Sequence, residues 1–560
     1  MHRDIEALAD RLVALRFEQD PLEAAMLGLD ENSPGLGDAS REANDRFIRA
    51  YRGIAVTAEA LTGQLNGGEE HLDERDILTL DLIRHSAPAV ADELAARLVE
   101  LTVSGFQNSP VVSLVSVLPQ LPLDTPSRRG AYLERLAALP RALQQLGERH
   151  LEGIADGRFP THRGVSNAIS FLDRVTSDPD VSGLRRSGGG DEFLAAQDRL
   201  LRGPVIGALH QYRALLDEKI LGYGRDDEHA GLCALAHGEE LYRTMARVST
   251  STLRTPEDLH QTGLAIIEQL RADYLIIGGR LWGLDDVSAI QDRLRHDPAL
   301  RYESGDEMLA MAIETVRRAE AAAPDWFGVL PSSPCAVEPV PLAMADGAAP
   351  AYYHAGAFDG SRPGTYFINV TRPRERFRHL AESIAYHEAV PGHHFQLTIN
   401  QEIAGNHVVH SVFANITNAE GWGLYSERLA EEMGLYSGDL ALLGMLSTDA
   451  WRAARLVLDT GLHALGWSRQ QAIDWMGQNV PLSPVEIVSE VDRYISMPGQ
   501  ALSYMVGRLE IQELRREATV ELGRRFDVRA FHDLILATGP VPLPALGGAV
   551  RRWIASHPPA

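Results

Sequence analysis

Apolar residues recur at spacings of three and four along most of the chain. The period is clear in DIEALADRLVALRFEQDPLEAAMLGL, RGAYLERLAALPRALQQLGERHLEGI and EDLHQTGLAIIEQLRADYLIIGGRLWG, and it predicts amphipathic helices through most of the first 330 residues. SGGGDEF, at 187 to 193, predicts a turn followed by a new helix. Near residue 330 the pattern changes. The stretch 331 to 373 is dense in Pro, Gly and Ala and holds short β-prone runs, AYYH and TYFINV, separated by the turn signal DGSRPG. Helical periodicity returns at ERFRHLAESIAYHEAV and continues to the end. The expectation is a mainly α protein with an N-terminal helical half, 1–330, and a second half, 331–560, that opens with a small β element (331–375). The two halves are expected to form one continuous unit.

Composition narrows the partners. The chain has 560 residues, 45 % of them hydrophobic, enough to bury a large core. Its formal charge of −24, from 77 acidic and 53 basic residues, speaks against nucleic acid and against an anionic membrane surface, both of which need clustered Lys and Arg. The first twenty residues carry charges throughout and do not read as a signal peptide, and no later run is long and apolar enough for a membrane helix. With two cysteines, Cys233 and Cys335, a disulfide scaffold is excluded. These readings together predict a soluble, cytoplasmic protein, monomer or homodimer.

The segment AYHEAVPGHHFQ, 385 to 396, carries the chemistry. It nearly spells H-E-x-x-H, in which two histidines one helical turn apart share a metal, but the fourth residue after His387 is Pro391. On an unbroken helix, His393 would lie about 240° around the axis from His387. Pro391 has no N–H to continue the helix and its ring disfavours helical geometry at Val390, while Gly392 tolerates unusual dihedral angles. A kink at this point could therefore bring His393, or else His394, to the place of the missing ligand. A carboxylate would complete the set. In NITNAEGWGLYSERLAEEMGL, Glu427, Glu431 and Glu432 stand among Arg428, Leu429 and Met433 and read as solvent-facing helix charges. Glu420, followed by GWG, reads as buried and therefore paired or metal-bound. Two histidines, one carboxylate and an open position form the catalytic arrangement of zinc, and Glu388 is then the candidate general base.

YHEAVPGHHFQ, AEGWGLYSERLAEEMG, RLVLDTGLHALGWSRQQAIDWM, VDRYISMPGQALSYMVG and DGSRPGTYFINV together resemble the bacterial family catalogued as domain of unknown function 885, over nearly the whole chain. That family is more distantly similar to the helical zinc peptidases that include thimet-type oligopeptidases, angiotensin-converting enzyme and Taq-type carboxypeptidase. The resemblance implies a large, two-lobed, zincin-like helical fold with a deep central channel. It also implies Zn2+ held by His387, His393 and Glu420, with His394 as the alternate ligand and Glu388 as base. Tyr504 matches the tyrosine that stabilises the oxyanion in those enzymes, with Tyr494 and Arg493 as alternates. His463 and Arg455 read either as channel-lining groups or as a core histidine and a structural ion pair. The strand GTYFINV, with Asn369, could offer edge hydrogen bonds to an extended peptide.

The function expected is a zinc-dependent metallopeptidase or amidase of carboxypeptidase or dipeptidase type, acting on short peptides or peptide-like small molecules. The alternatives are a metal-dependent enzyme that transforms a specialised metabolite by other chemistry, and a non-catalytic binding protein on the same scaffold.

Overall fold

Helix starts are fixed by the side chains that precede them. Thr125, Thr255, Ser304, Ser468 and Ser483 each accept a backbone N–H of the first turn, and Ser468 with Gln471 and Ser483 with Glu486 complete reciprocal capping boxes. The helix predicted after SGGGDEF runs Asp191–Leu200, with Gly190 before it. A computed structural model describes residues 1–29, 35–66, 72–106, 108–177, 183–345, 349–356, 362–403 and 406–557, and it is mainly α. The turn signal DGSRPG falls partly outside the described residues.

Among the described residues, three strands follow residue 330. β1 (Ala336–Pro339) pairs parallel with β3 (Thr365–Ile368), and β2 (Ala351–His354) pairs antiparallel with it, so the order is β1-β3-β2. The sequence reading offered GTYFINV as an edge. It is instead the central strand, because β1 and β2 both pair to it, and β2 is an edge.

The long helix Asp439–His463 is buried along almost its whole length. It packs on Pro256–Trp282 at a close approach: a Cβ at Gly263 would come within 2.7 Å of Val457 Cγ2. The polar groups this helix carries inward are therefore held by partners. Asp449 accepts from Arg428 and Arg508, and Arg455 pairs with Glu490 at 2.9 Å. The main apolar core runs from Ile5 to Val550 and joins residues of both halves of the sequence. A second core draws on Leu22 and on residues between 103 and 220. Among the described residues, no helix is long and apolar enough to cross a membrane.

Asp459, on the same helix, makes a pH prediction. It is fully buried, accepts from Tyr242 Oη at 2.5 Å and Gly499 N at 3.0 Å, and burial pushes its carboxyl up to about 7. Because the folded value lies above the ordinary one, the stability this group contributes is complete in acid and is lost as pH rises from about 4 to about 7. Asp459→Asn keeps the shape without the charge. It should match the parent near pH 4 and exceed it at pH 8 by on the order of 4 kcal/mol, checked by denaturant melts at both pH values.

Candidate metal centre

The helix carrying His387 stops where the sequence stops it. Ala381–Glu388 ends, Ala389 (φ −104, ψ −101) and Gly392 (φ −77, ψ −126) leave helical geometry, and a second helix starts at His393 and runs to Glu402. The Val390–Pro391 peptide is cis. A broken helix leaves carbonyls without partners. Here the neighbouring helix Ile416–Glu432 supplies donors: Trp422 Nε1 donates to the carbonyls of Pro391 (3.0 Å) and Gly392 (3.2 Å), and Ser426 Oγ to that of Pro391 (3.3 Å). Gly392 is required by space, since a Cβ there would sit 1.9 Å from the His387 carbonyl oxygen.

The break brings three side chains together. His387 Nε2 lies 3.2 Å and His393 Nε2 3.6 Å from Glu420 Oε2, with ligand atoms of all three residues within 4.8 Å of one another. Two donors about 2.0–2.1 Å from a tetrahedral zinc stand roughly 3.4 Å apart, so this spacing and the N,N,O donor set fit that ion. The glycines around Glu420 serve the approach. A Cβ at Gly423 would meet the His387 ring at 2.7 Å, and one at Gly421 would meet Gly507 of the helix Ser503–Leu522 at 2.4 Å.

Glu427 completes the arrangement. The sequence reading placed it in solvent. It is instead fully buried, because the Ile416–Glu432 helix is covered on the face two turns on from Glu420 by the first histidine helix and by Asp439–His463. His387 Nδ1–H donates to Glu427 Oε1 at 2.9 Å, and Ser383 (2.6 Å) and Thr448 (2.5 Å) donate to Oε2. A carboxylate on Nδ1 fixes the tautomer that leaves the Nε2 lone pair for a metal. Burial alone would push the Glu427 carboxyl up, but the charge of Arg452 and the hydrogen bonds from His387 and Ser383 bring it down to about 2. Burial would likewise depress His387, yet its hydrogen bonds to Glu420 and Glu427 raise it to about 10. Glu420 is opposed by burial in the same way, and the two histidines hold it well below the ordinary carboxylate range. The cluster attracts a cation, and without a metal a proton fills that role.

The structure separates the other candidates. Glu388 is half-buried, and its Oε2 accepts the backbone N–H of Tyr353 on β2 at 3.0 Å. His394, the alternate ligand, turns away from the cluster. Its Nε2–H donates to the Ser333 carbonyl (3.2 Å), its Nδ1 faces Tyr353 Oη (3.0 Å), and burial pushes it down to about 4. His394→Gln should leave the metal content unchanged while lowering stability by about 1–3 kcal/mol, read by elemental analysis beside denaturant melts.

Tyr504 is half-buried, one turn before the Gly421–Gly507 contact. The Arg455 guanidinium lies 4.2 Å from its ring centroid, and Arg493 Nη2 is 3.5 Å from its hydroxyl. Tyr494 is fully buried and donates to Glu490 at 2.6 Å, and Arg455 is held by that glutamate, so both are structural. Arg493 also donates to Gln500 Oε1 at 2.9 Å. His463 is a core residue between Leu232 N (3.1 Å) and the Tyr494 carbonyl (3.0 Å). Asn369 donates to the Ala345 carbonyl and accepts from Thr371, closing a turn after β3.

The sequence profile of a family described as "Bacterial protein of unknown function (DUF885)" matches residues 21–550. The chain belongs to this family. It is similar to the crystal structure of the "putative lipoprotein from Colwellia psychrerythraea", with a TM-score of 0.86 and 25 % identity over 99 % of each chain. It also shares the fold of a "putative lipoprotein of unknown function from Shewanella oneidensis", with a TM-score of 0.77 and 18 % identity over 97 % of this chain and 98 % of the other. No curated protein matches.

Proposed function

We propose that this DUF885 protein is a zinc-dependent hydrolase that cleaves an amide bond in short peptides or peptide-like metabolites, in the manner of the helical zinc peptidases it resembles. The observation that carries the reading is the convergence of His387, His393 and Glu420 within 4.8 Å, beside Glu388 and with Glu427 behind His387. When bound there, zinc supplies a Lewis acid and lowers the pKa of its water to about 7.

The chain's own groups supply the rest. Glu388 follows His387 in sequence and so points about 100° away from it around the helix, beside the ligands rather than among them. Its role is to accept the proton of the attacking water and deliver it to the leaving amine. An extended substrate has a place on β2. Asn369 N–H donates to the Pro350 carbonyl, so Tyr352 and His354 exchange hydrogen bonds with β3, while Ala351 and Tyr353 direct their backbone groups outward. Tyr353 N–H already points outward to Glu388. Ala351 can pair with a peptide backbone on the same side. Tyr504 is the candidate donor to the carbonyl oxygen as charge develops on it.

Elemental analysis and a peptide library test the reading. The wild-type protein should hold about one zinc per chain, His387→Ala and Glu420→Ala should lose it, and the zinc-loaded protein should cut short peptides. Full zinc retention in both variants would remove the ligand assignment. Zinc binding with cleavage of esters but of no amide would move the chemistry to the non-peptidase alternative. On location, both structural relatives are described as "putative lipoproteins", which favours a membrane-anchored or secreted setting over the cytoplasmic one expected from sequence.

A further inference from the structure

Arg452 differs from the other buried arginines on and around the long helix Asp439–His463. Arg428 and Arg508 are held by Asp449, and Arg455 by Glu490. Arg452 is only 7 % exposed, yet its Nε and Nη1 are buried with no hydrogen-bond partner among the described residues. The acid that feels its charge is Glu427, whose oxygens are already engaged: Oε1 accepts from His387, and Oε2 from Ser383 and Thr448. The charge is therefore balanced at a distance, while donors of the guanidinium fork lack an acceptor. A buried guanidinium in that state is costly until an anion meets it.

Its position follows from the register of two helices. Ala381–Glu388 and Asp439–His463 run side by side in the same direction: a Cβ at Gly444 would collide with the His379 carbonyl oxygen, and one turn on, Ser383 Oγ lies 2.8 Å from Thr448 Oγ1. The next step of four residues on each brings Arg452 level with His387. On its other side, the Arg452 guanidinium lies 4.3 Å from the centroid of the Trp451 ring, which it shares with Arg455 at 4.9 Å. Arg455 in turn lies 4.2 Å from the ring of Tyr504. Arg452 thus stands between His387, the proposed metal ligand, and Tyr504, the candidate donor to the carbonyl oxygen.

We infer that Arg452 is the receptor for a free carboxylate next to the scissile bond, so that the substrates are peptides or N-acyl amino acids cut at their last link. This assignment rests on the hydrolase reading of the same site. A carboxylate offers two acceptor oxygens in one plane, which match the guanidinium fork. Hydrolysis breaks the C–N bond of that link, water giving its oxygen to the acyl carbon and both protons to the nitrogen. The amino acid leaves with its carboxylate intact.

Binding is measured on the full-length protein with a chelator present, so that it depends on neither metal nor turnover. The probes are N-acetyl-alanyl-X dipeptides, X being each natural amino acid, as the free acid and as the C-terminal amide. Thermal shift selects the best X, and calorimetry gives both affinities. The free acid should bind at least about tenfold tighter than its amide. Arg452→Met should bring the two within about twofold of each other. Arg452→Lys keeps the charge that Glu427 feels, and with it the fold, but not the fork, and should reduce the preference by at least about threefold. With zinc restored, kcat/KM of the parent should favour free acids, and the lysine variant should lose that preference through KM. An arginine with a structural role alone would change acid and amide alike. No binding of any free acid, equal affinity of the parent for acid and amide, or a preference unchanged by Arg452→Lys would each overturn the assignment. A protein that binds free acids through Arg452 and cuts none keeps the carboxylate receptor and overturns the hydrolase reading.

Discussion

Glu427→Ala will lower zinc affinity by about 10- to 100-fold and lower the stability of the metal-free protein by about 3–5 kcal/mol. The two effects have one origin. Glu427 is fully buried, and four groups rely on its charge: His387 Nδ1, the hydroxyls of Ser383 and Thr448, and the guanidinium of Arg452. Removing the carboxylate strands the arginine inside the protein and frees the His387 ring to rotate or to adopt the wrong tautomer. Glu427→Gln is the informative control. Its carbonyl can still accept from His387, and its amide can donate to the hydroxyls, which are able to reverse roles. The glutamine variant should therefore fold nearly as well as the parent and lose zinc affinity through the missing charge. Competitive zinc titration and denaturant melts measure the two losses separately. An alanine variant with parental zinc affinity would show that His387 is oriented by something other than Glu427.

That residue also marks the limit of what the sequence could say. Helical content, the change of character near 330, the break at Pro391 and Gly392, and the meeting of Glu420 with the histidines were all legible, because each depends on local chemistry: periodicity, turn residues, a missing N–H, a carboxylate among glycines. Glu427 was misread because Arg428, Leu429 and Met433 made its surroundings look like a surface, and what covers a helix is decided by elements far away in sequence. A signal was present. Seven residues after Glu420 is two turns on the same face, so a second carboxylate there points toward the same neighbour. The choice between His393 and His394 could not be read from spacing, since it depends on where the second helix restarts. β2 and β3 could not be ranked as edge and centre without their pairing, which is long-range.

Glu388→Gln should lower kcat by about 10²- to 10⁴-fold while leaving the zinc content at the parental level. The geometry separates these two outcomes. Glu388 is not among the three residues whose ligand atoms converge, so its loss removes no donor from the metal. Glu388 accepts the Tyr353 N–H, and the carbonyl oxygen of a glutamine accepts the same bond, so β2 stays where it is. What the amide cannot do is take up a proton from water and release it to an amine. If Glu388 acts only in the transition state, kcat and kcat/KM fall together and KM is unchanged. A variant that keeps zinc, keeps its fold and loses turnover would assign Glu388 as the base. A variant that keeps turnover would require the proton to go elsewhere and would end the assignment of Glu388 as base.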